Sequence, residues 1–186
     1  MDTGDAAAAR VDLLELATYV QEHPVTGPSG HSYISSAPRA TRTSPVLPVN
    51  FGMQDHIQAS VREVIDETLA VNPDAGLPDR LLGVYEWCIA NTEDAPEGNQ
   101  LRRDAVIYRQ HLEHAIRLGN RSVIRPIRCP ACRTLGLFWE PELGRALCTN
   151  KKHCRTKDGT SSTWSLGRLA WAKVMEQQKM RQASAT

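Results

Sequence analysis

Four of the five cysteines in this 186-residue chain fall in one short stretch, as two pairs. The first pair is Cys129-Pro130-Ala131-Cys132. Fifteen residues later comes the second, Cys148 and Cys154. Paired cysteines at this spacing fit one tetrahedral zinc ion held by four thiolates. A knuckle of two cysteines two residues apart aims both sulfurs at one ion. The spacer is long enough for a hairpin. Leu135, Leu137 and Trp139 alternate with Gly136 and Phe138 as in a short strand, Pro141 to Gly144 supplies a turn, and Arg145 to Leu147 returns the chain to the second pair. In so small a unit, a single structural Zn2+ replaces a hydrophobic core of its own.

Other uses of the cysteines fit less well. Two disulfides suit a secreted chain, yet Met1 to Arg10 has neither a basic start nor a long apolar core, so it does not read as a secretory signal. A redox pair of thioredoxin type calls for a βαβ context, which the pattern lacks. Catalytic zinc needs an open coordination position, which four thiolates do not leave. The second pair is unusually wide, and His153 offers an alternate fourth ligand to Cys154. Cys88 reads as a core residue of a helix.

Around this site the chain reads as mainly α. Residues 6–22 predict an acidic N-terminal helix with Val11, Leu14, Ala17 and Val20 as its stripe, ended by His23-Pro24. Residues 24–50 contain five prolines with many serines and threonines and read as a linker. A helix over 53–70 shows Ile57, Val61, Val64, Ile65 and Thr68 on one face. Another over 78–91 takes Pro78 in its first turn, with Leu81, Val84, Tyr85, Cys88 and Ile89 inward. A third over 99–118 carries Leu101, Ala105, Tyr108, Leu112 and Ala115 on one side and Arg102, Arg103, Arg109 and Arg117 on the rest. These three make a small bundle. His111 and His114 read as solvated. A last helix over 164–181, capped by Ser162 or Ser165, is expected to pack on the hairpin through Trp164 and Trp171. The resulting units are 1–23, 24–50, 51–122, 123–160 and 161–186.

The net charge of +1 conceals a division. Residues 1–98 carry 15 acidic and 5 basic side chains, and residues 99–186 carry 6 and 17. Two readings follow: the halves neutralise each other within the fold, or the C-terminal half faces a polyanion. A zinc ion with four thiolates carries two negative charges. Arg128, Arg133, Lys151, Lys152 and Arg155 stand beside the ligands in sequence, offset that charge and leave a positive rim, and together with Arg145 and Lys157 they are the candidate nucleic-acid-binding residues. No apolar run approaches the roughly 18 residues that a membrane span requires. The expected setting is the cytoplasm.

Over about 127–158 the chain resembles a zinc ribbon. The resemblance rests on Cys129-Pro130-x-Cys132, the strand Leu135–Trp139, and Cys148 to Cys154, and Arg133 replaces the glycine common after the first knuckle. The wider layout resembles uncharacterised proteins of actinobacterial phages and mobile elements. In those, a Pro/Arg/Ser/Thr-rich stretch (here Ser35 to Pro48) leads to a helical region and a C-terminal ribbon, which is followed here by Asp158-Gly159 and Trp164. That resemblance implies a virus-derived or mobile-element accessory protein that binds DNA in a bacterial or phage-infected host cell, and the fold read from the residues is a helical bundle with a small β zinc ribbon.

The expected function is therefore non-enzymatic. Ribbons place basic side chains near phosphates, and Phe138 and Trp139 offer aromatic surface to bases. The alternative is an adaptor or inhibitor that engages a host or phage protein. No Gly-rich phosphate loop, nucleophile elbow or standout carboxylate pair marks an enzyme.

Overall fold

A computed structural model describes residues 3–22, 49–150 and 152–184. The linker reading of residues 24–48, with Arg39 and Arg42, lies outside the described residues. Five α-helices and one three-stranded antiparallel sheet are present among the described residues. The helices are α1 (Thr3–Glu22), α2 (Val49–Val71), α3 (Val84–Asn91), α4 (Glu97–Arg117) and α5 (Leu166–Ser184). The strands are β1 (Leu137–Glu140), β2 (Arg145–Cys148) and β3 (Thr163–Trp164). No described helix is long and apolar enough to cross a membrane.

α1 begins in an alanine run that favours helix, but it turns a different face inward from the expected one. Val11 and Leu14 are 49% and 47% exposed, while Ala6, Ala9, Leu13 and Leu16 are buried. Ala6 and Ala9 let the helix backbone approach the bundle closely, and Leu13 and Leu16 complete that inward face, while Val11 and Leu14 are left outside. α2 starts at Val49, earlier than expected, and buries Val61, Val64 and Thr68. α3 is shorter than predicted. Pro78 precedes it, and a 3-10 turn over Leu81–Gly83 leads into Val84. Trp87 Nε1 donates to the Gly76 carbonyl at 2.7 Å and fixes that loop.

α4 departs most from an amphipathic helix. It is wrapped by α1, α2, α3 and α5 and buries polar as well as apolar side chains. Arg103, expected on the outside, is buried. Its Nε donates to Asp104 at 2.8 Å and its Nη1 to Thr92 Oγ1 at 3.0 Å. His114 is buried rather than solvated, 3.3 Å from Ser60 Oγ, and half-buried His111 sits 2.7 Å from Asp12. Tyr85 donates to Gln110 Oε1 at 2.8 Å, and Gln110 Nε2 donates to the Ser60 carbonyl at 3.0 Å and to Glu63 at 2.9 Å. Arg103, Gln110 and one ring nitrogen of His114 are hydrogen-bonded, as buried polar groups generally are, while His114 Nδ1 is buried without a partner.

α4 also joins two cores. Ile107 belongs to a cluster with Leu13, Val64, Val84 and Tyr85. Tyr108 and Leu112 belong to a second with Ile124, Leu137, Ala146, Leu166 and Leu169. The sheet therefore borrows apolar surface from α4 and α5. Ser165 caps α5 by accepting from the Arg168 backbone N–H at 3.3 Å, as expected. Trp164 packs against this second core, but Trp171 is largely exposed and does not join it.

Candidate metal centre

The hairpin forms where the alternating residues place it, slightly later in the chain. β1 pairs with β2 through Leu137–Cys148, Phe138–Leu147, Trp139–Ala146 and Glu140–Arg145. Leu137 and Ala146 are buried, Trp139 packs against the core, and Phe138 faces outward at 39% exposure. β3 adds a third strand that the sequence reading lacked, pairing Ala146 with Trp164 and Leu147 with Thr163.

This framework brings four sulfurs together. Cys129 and Cys132 come from the first knuckle, Cys148 from the end of β2, and Cys154 from the turn after it. All four Sγ atoms lie within 4.8 Å of one another. Cys129 Sγ is 3.6 Å from Cys154 Sγ, and Cys132 Sγ is 3.6 Å from Cys148 Sγ. A disulfide holds sulfurs about 2.0 Å apart, so none is formed here. Four sulfurs about 2.3 Å from a central ion stand about 3.8 Å apart at the corners of a tetrahedron. The donor set and its spacing fit a thiolate-bound ion of the zinc or iron class.

Local backbone bonds explain the positions. The Cys129 N–H donates to the Thr134 carbonyl at 2.9 Å, and the Arg133 N–H to the Cys129 carbonyl at 2.9 Å. Arg133 accordingly adopts φ +61°, a left-handed conformation that glycine takes most easily. The wide second pair closes because Asn150 O accepts the Cys154 N–H at 2.9 Å. A tight hairpin follows, with Arg155 bridged to Ser161 and the Ser162 N–H donating to the Cys154 carbonyl at 3.3 Å. The four-membered sulfur group contains Cys154, whereas His153 is exposed and is not part of it. Cys129, Cys148 and Cys154 are buried and Cys132 is half-buried. Thr134 bonds Cys132 through its hydroxyl and backbone and holds that thiol well below its usual range, while burial pushes Cys148 and Cys154 up. Cys88 is buried in the bundle core, away from this group.

The sequence-predicted basic residues surround the site unevenly. Arg128, Arg145, Lys152, Arg155 and Lys157 are exposed. Arg128 donates to the Arg133 carbonyl at 3.1 Å, and Arg133 pairs with Glu176 at 3.3 Å. Lys151 lies outside the described residues. Arg121 and Arg125, which the sequence reading passed over, are also exposed, on a 3-10 turn over Arg121–Ile124 that packs against β1. Their four-residue spacing after Arg117 was the available signal. In contrast, Arg102, Arg103 and Arg109 of α4 meet carboxylates. Arg102 pairs with Glu67 at 2.6 Å, and Arg109 bonds Glu63 and Glu113.

No family model, curated protein or solved structure matches the chain. The resemblance to zinc ribbons and to phage proteins therefore rests on motif layout alone.

Proposed function

We propose that this chain is a non-enzymatic zinc-ribbon protein that binds nucleic acid, DNA foremost, through the basic surface of the ribbon. One Zn2+ would sit among Cys129, Cys132, Cys148 and Cys154. Four sulfur donors fill a tetrahedron and leave no position for substrate, so its role is to hold the fold. When bound, the ion supplies positive charge that keeps four thiolates together in a space with little core.

The observation that carries the nucleic-acid reading is the unequal fate of the basic residues. From Arg117 to Lys157 the chain has ten basic and two acidic residues. Arg117, Arg121, Arg125, Arg128, Arg145, Lys152 and Lys157 are exposed there and make none of the ion pairs found among the described residues. Subtracting two for the metal and its four thiolates still leaves this lobe strongly positive, and a phosphate backbone is its natural counterpart.

The test is binding of the full chain to duplex and single-stranded DNA across a salt series. The expected affinity falls linearly on a double-logarithmic plot, by about 0.9 per phosphate neutralised on duplex. Absence of binding at low salt, or binding indifferent to salt, refutes the reading. A protein partner is the second reading, favoured by Leu135, Phe138 and Leu143, which expose apolar surface on the ribbon. A stoichiometric partner recovered from cell extract after nuclease treatment supports it.

A further inference from the structure

A cleft of about 600 Å³ opens where the bundle meets the ribbon. Its volume falls within the range of small-molecule sites. His56 of α2 lines one side, Glu113 and Arg117 of α4 another, Trp139 of β1 a third, and the start of α5 at Ser165 and Gly167 closes the end.

Each wall offers something different. Trp139 packs one part of its ring on the core, and its remaining surface lines the cleft. Arg109 also lines it, but that guanidinium is held by Glu63 and Glu113. Arg117 is exposed and forms none of the described ion pairs, so it is the cation left for a ligand. The first amides of α5 add the positive end of a helix. Glu113 gives one oxygen, Oε1, to Arg109 at 2.7 Å, and a carboxylate has a second to offer. His56 has a buried Nε2 with no hydrogen-bond partner. Burial, then Arg117 and Arg109, lower its pKa to about 4, so its ring is neutral at pH 7.

An aromatic face, a lone cation beside a helix start, and unspent polar atoms between them match one ligand chemistry. We propose that this cleft takes a single nucleotide, its base stacked on Trp139 and its phosphate on Arg117 and the first turn of α5. The base bears an exocyclic amino group, as in cytosine or adenine, because Glu113 accepts a hydrogen bond and cannot donate one. The nucleotide is either free or an unpaired member of a strand held by the ribbon. In the second form the inference rests on the nucleic-acid reading above.

The experiment uses the full zinc-loaded chain with four probes: deoxycytidine monophosphate, thymidine monophosphate, inorganic phosphate and a fluorescent 20-residue oligodeoxycytidine. Binding is read by calorimetry for the small probes and by anisotropy for the oligonucleotide. Deoxycytidine monophosphate is expected to bind and to displace the oligonucleotide, ahead of thymidine monophosphate and of phosphate. Arg117→Ala, at an exposed helix end, is expected to weaken both binding events about tenfold. Trp139→Phe keeps an apolar ring against the core with a smaller stacking face, and weakens them less. If the mononucleotide displaces only itself, the site takes free nucleotide and the strand form falls. If the oligonucleotide binds with salt dependence while the mononucleotide neither binds nor competes, and Arg117→Ala is silent, the cleft falls and the ribbon surface stands. Phosphate competing as well as the nucleotide overturns the role of the base. If no DNA binds but the mononucleotide does, the nucleic-acid reading falls and the cleft stands.

Discussion

Gly136 occupies the point where the first knuckle feeds β1, and its replacement by alanine tests the geometry of the metal site without touching a ligand. Its φ is +115°, and a Cβ built there meets Thr149 Oγ1 at 2.5 Å. Holding a non-glycine residue in so sparsely populated a conformation costs about 1–3 kcal/mol. The clash adds to this unless Thr149 rotates, and rotation alone does not free the backbone. The Thr149 N–H donates to the Gly136 carbonyl at 3.0 Å, so a shift at either residue pulls on Cys148 next door. Gly136→Ala is therefore expected to lose about 2–4 kcal/mol in all. The same change in a Thr149→Ala background keeps the backbone strain and loses the clash, since the Thr149 Cβ stands 3.8 Å away. The coupling between the two substitutions measures the steric part. Denaturant unfolding of the four proteins, with thiol reactivity as a second readout, gives both numbers. A Gly136→Ala protein within about 0.5 kcal/mol of the parent refutes the reasoning, because a change of that size is what an uninvolved surface position shows.

Three further outcomes follow from the site and the bundle. Removing the metal with a chelator is expected to unfold the ribbon while much of the helical circular dichroism survives, with the four ribbon thiols gaining reactivity before buried Cys88 does, and replacing Cys148 with serine does the same to the three that remain; unchanged thiol reactivity on chelation contradicts the metal site. Burial lowers the pKa of His114 to about 3 and that of His56 to about 4, from 6.5; below 6.5 the unfolded chain binds protons that the folded chain refuses, so stability falls as pH drops from 6.5 towards 4, and His114→Gln flattens that limb in denaturation at pH 7 and pH 5. Gln110→Leu strands the Tyr85 hydroxyl in the core and is expected to cost about 2–3 kcal/mol, part of which Tyr85→Phe restores in the double variant; equal stability of the two in chemical unfolding contradicts the network.

What could be read from the sequence divides along physical lines. The four cysteines and the hairpin between them were legible because ligand spacing and alternation of side chains are local facts. The same holds for α2, whose inward residues Val61, Val64 and Thr68 repeat at helical spacing. β3 escaped notice because two residues, Thr163 and Trp164, cannot show a period. The wide spacing of Cys148 and Cys154 looked irregular until Asn150 was seen to close the turn with its carbonyl. α1 buries Ala6, Ala9, Leu13 and Leu16 rather than Val11 and Leu14, because the close approach that Ala6 and Ala9 allow decides which face turns inward. α4 misled most. Its arginine, glutamine and histidine look solvated in isolation, and it is Thr92, Tyr85 and Ser60 on neighbouring elements, with Asp104 on the helix itself, that make their burial possible.

The charge division along the chain resolves through the same helix. The packed reading holds for the helical part of the basic half, and the exposed remainder is where the polyanion-facing reading is proposed. Arg102, Arg109 and His111 of α4 reach across to the acidic half, where they meet Glu67, Glu63 and Asp12. Those charges are used within the fold. Arg121, Arg125, Arg128 and Arg145, which follow Arg117 in the chain, are exposed and form none of the ion pairs found among the described residues, whereas Arg133 meets Glu176 of α5. Neutralising the acidic face of α2 should then alter stability with little effect on any anion bound at the ribbon, and neutralising Arg121, Arg125 and Arg128 should do the reverse. The two sets of charges sit in one small protein and differ in whether a carboxylate is packed against them, so these two substitutions separate folding from binding more cleanly than a change in the net charge does.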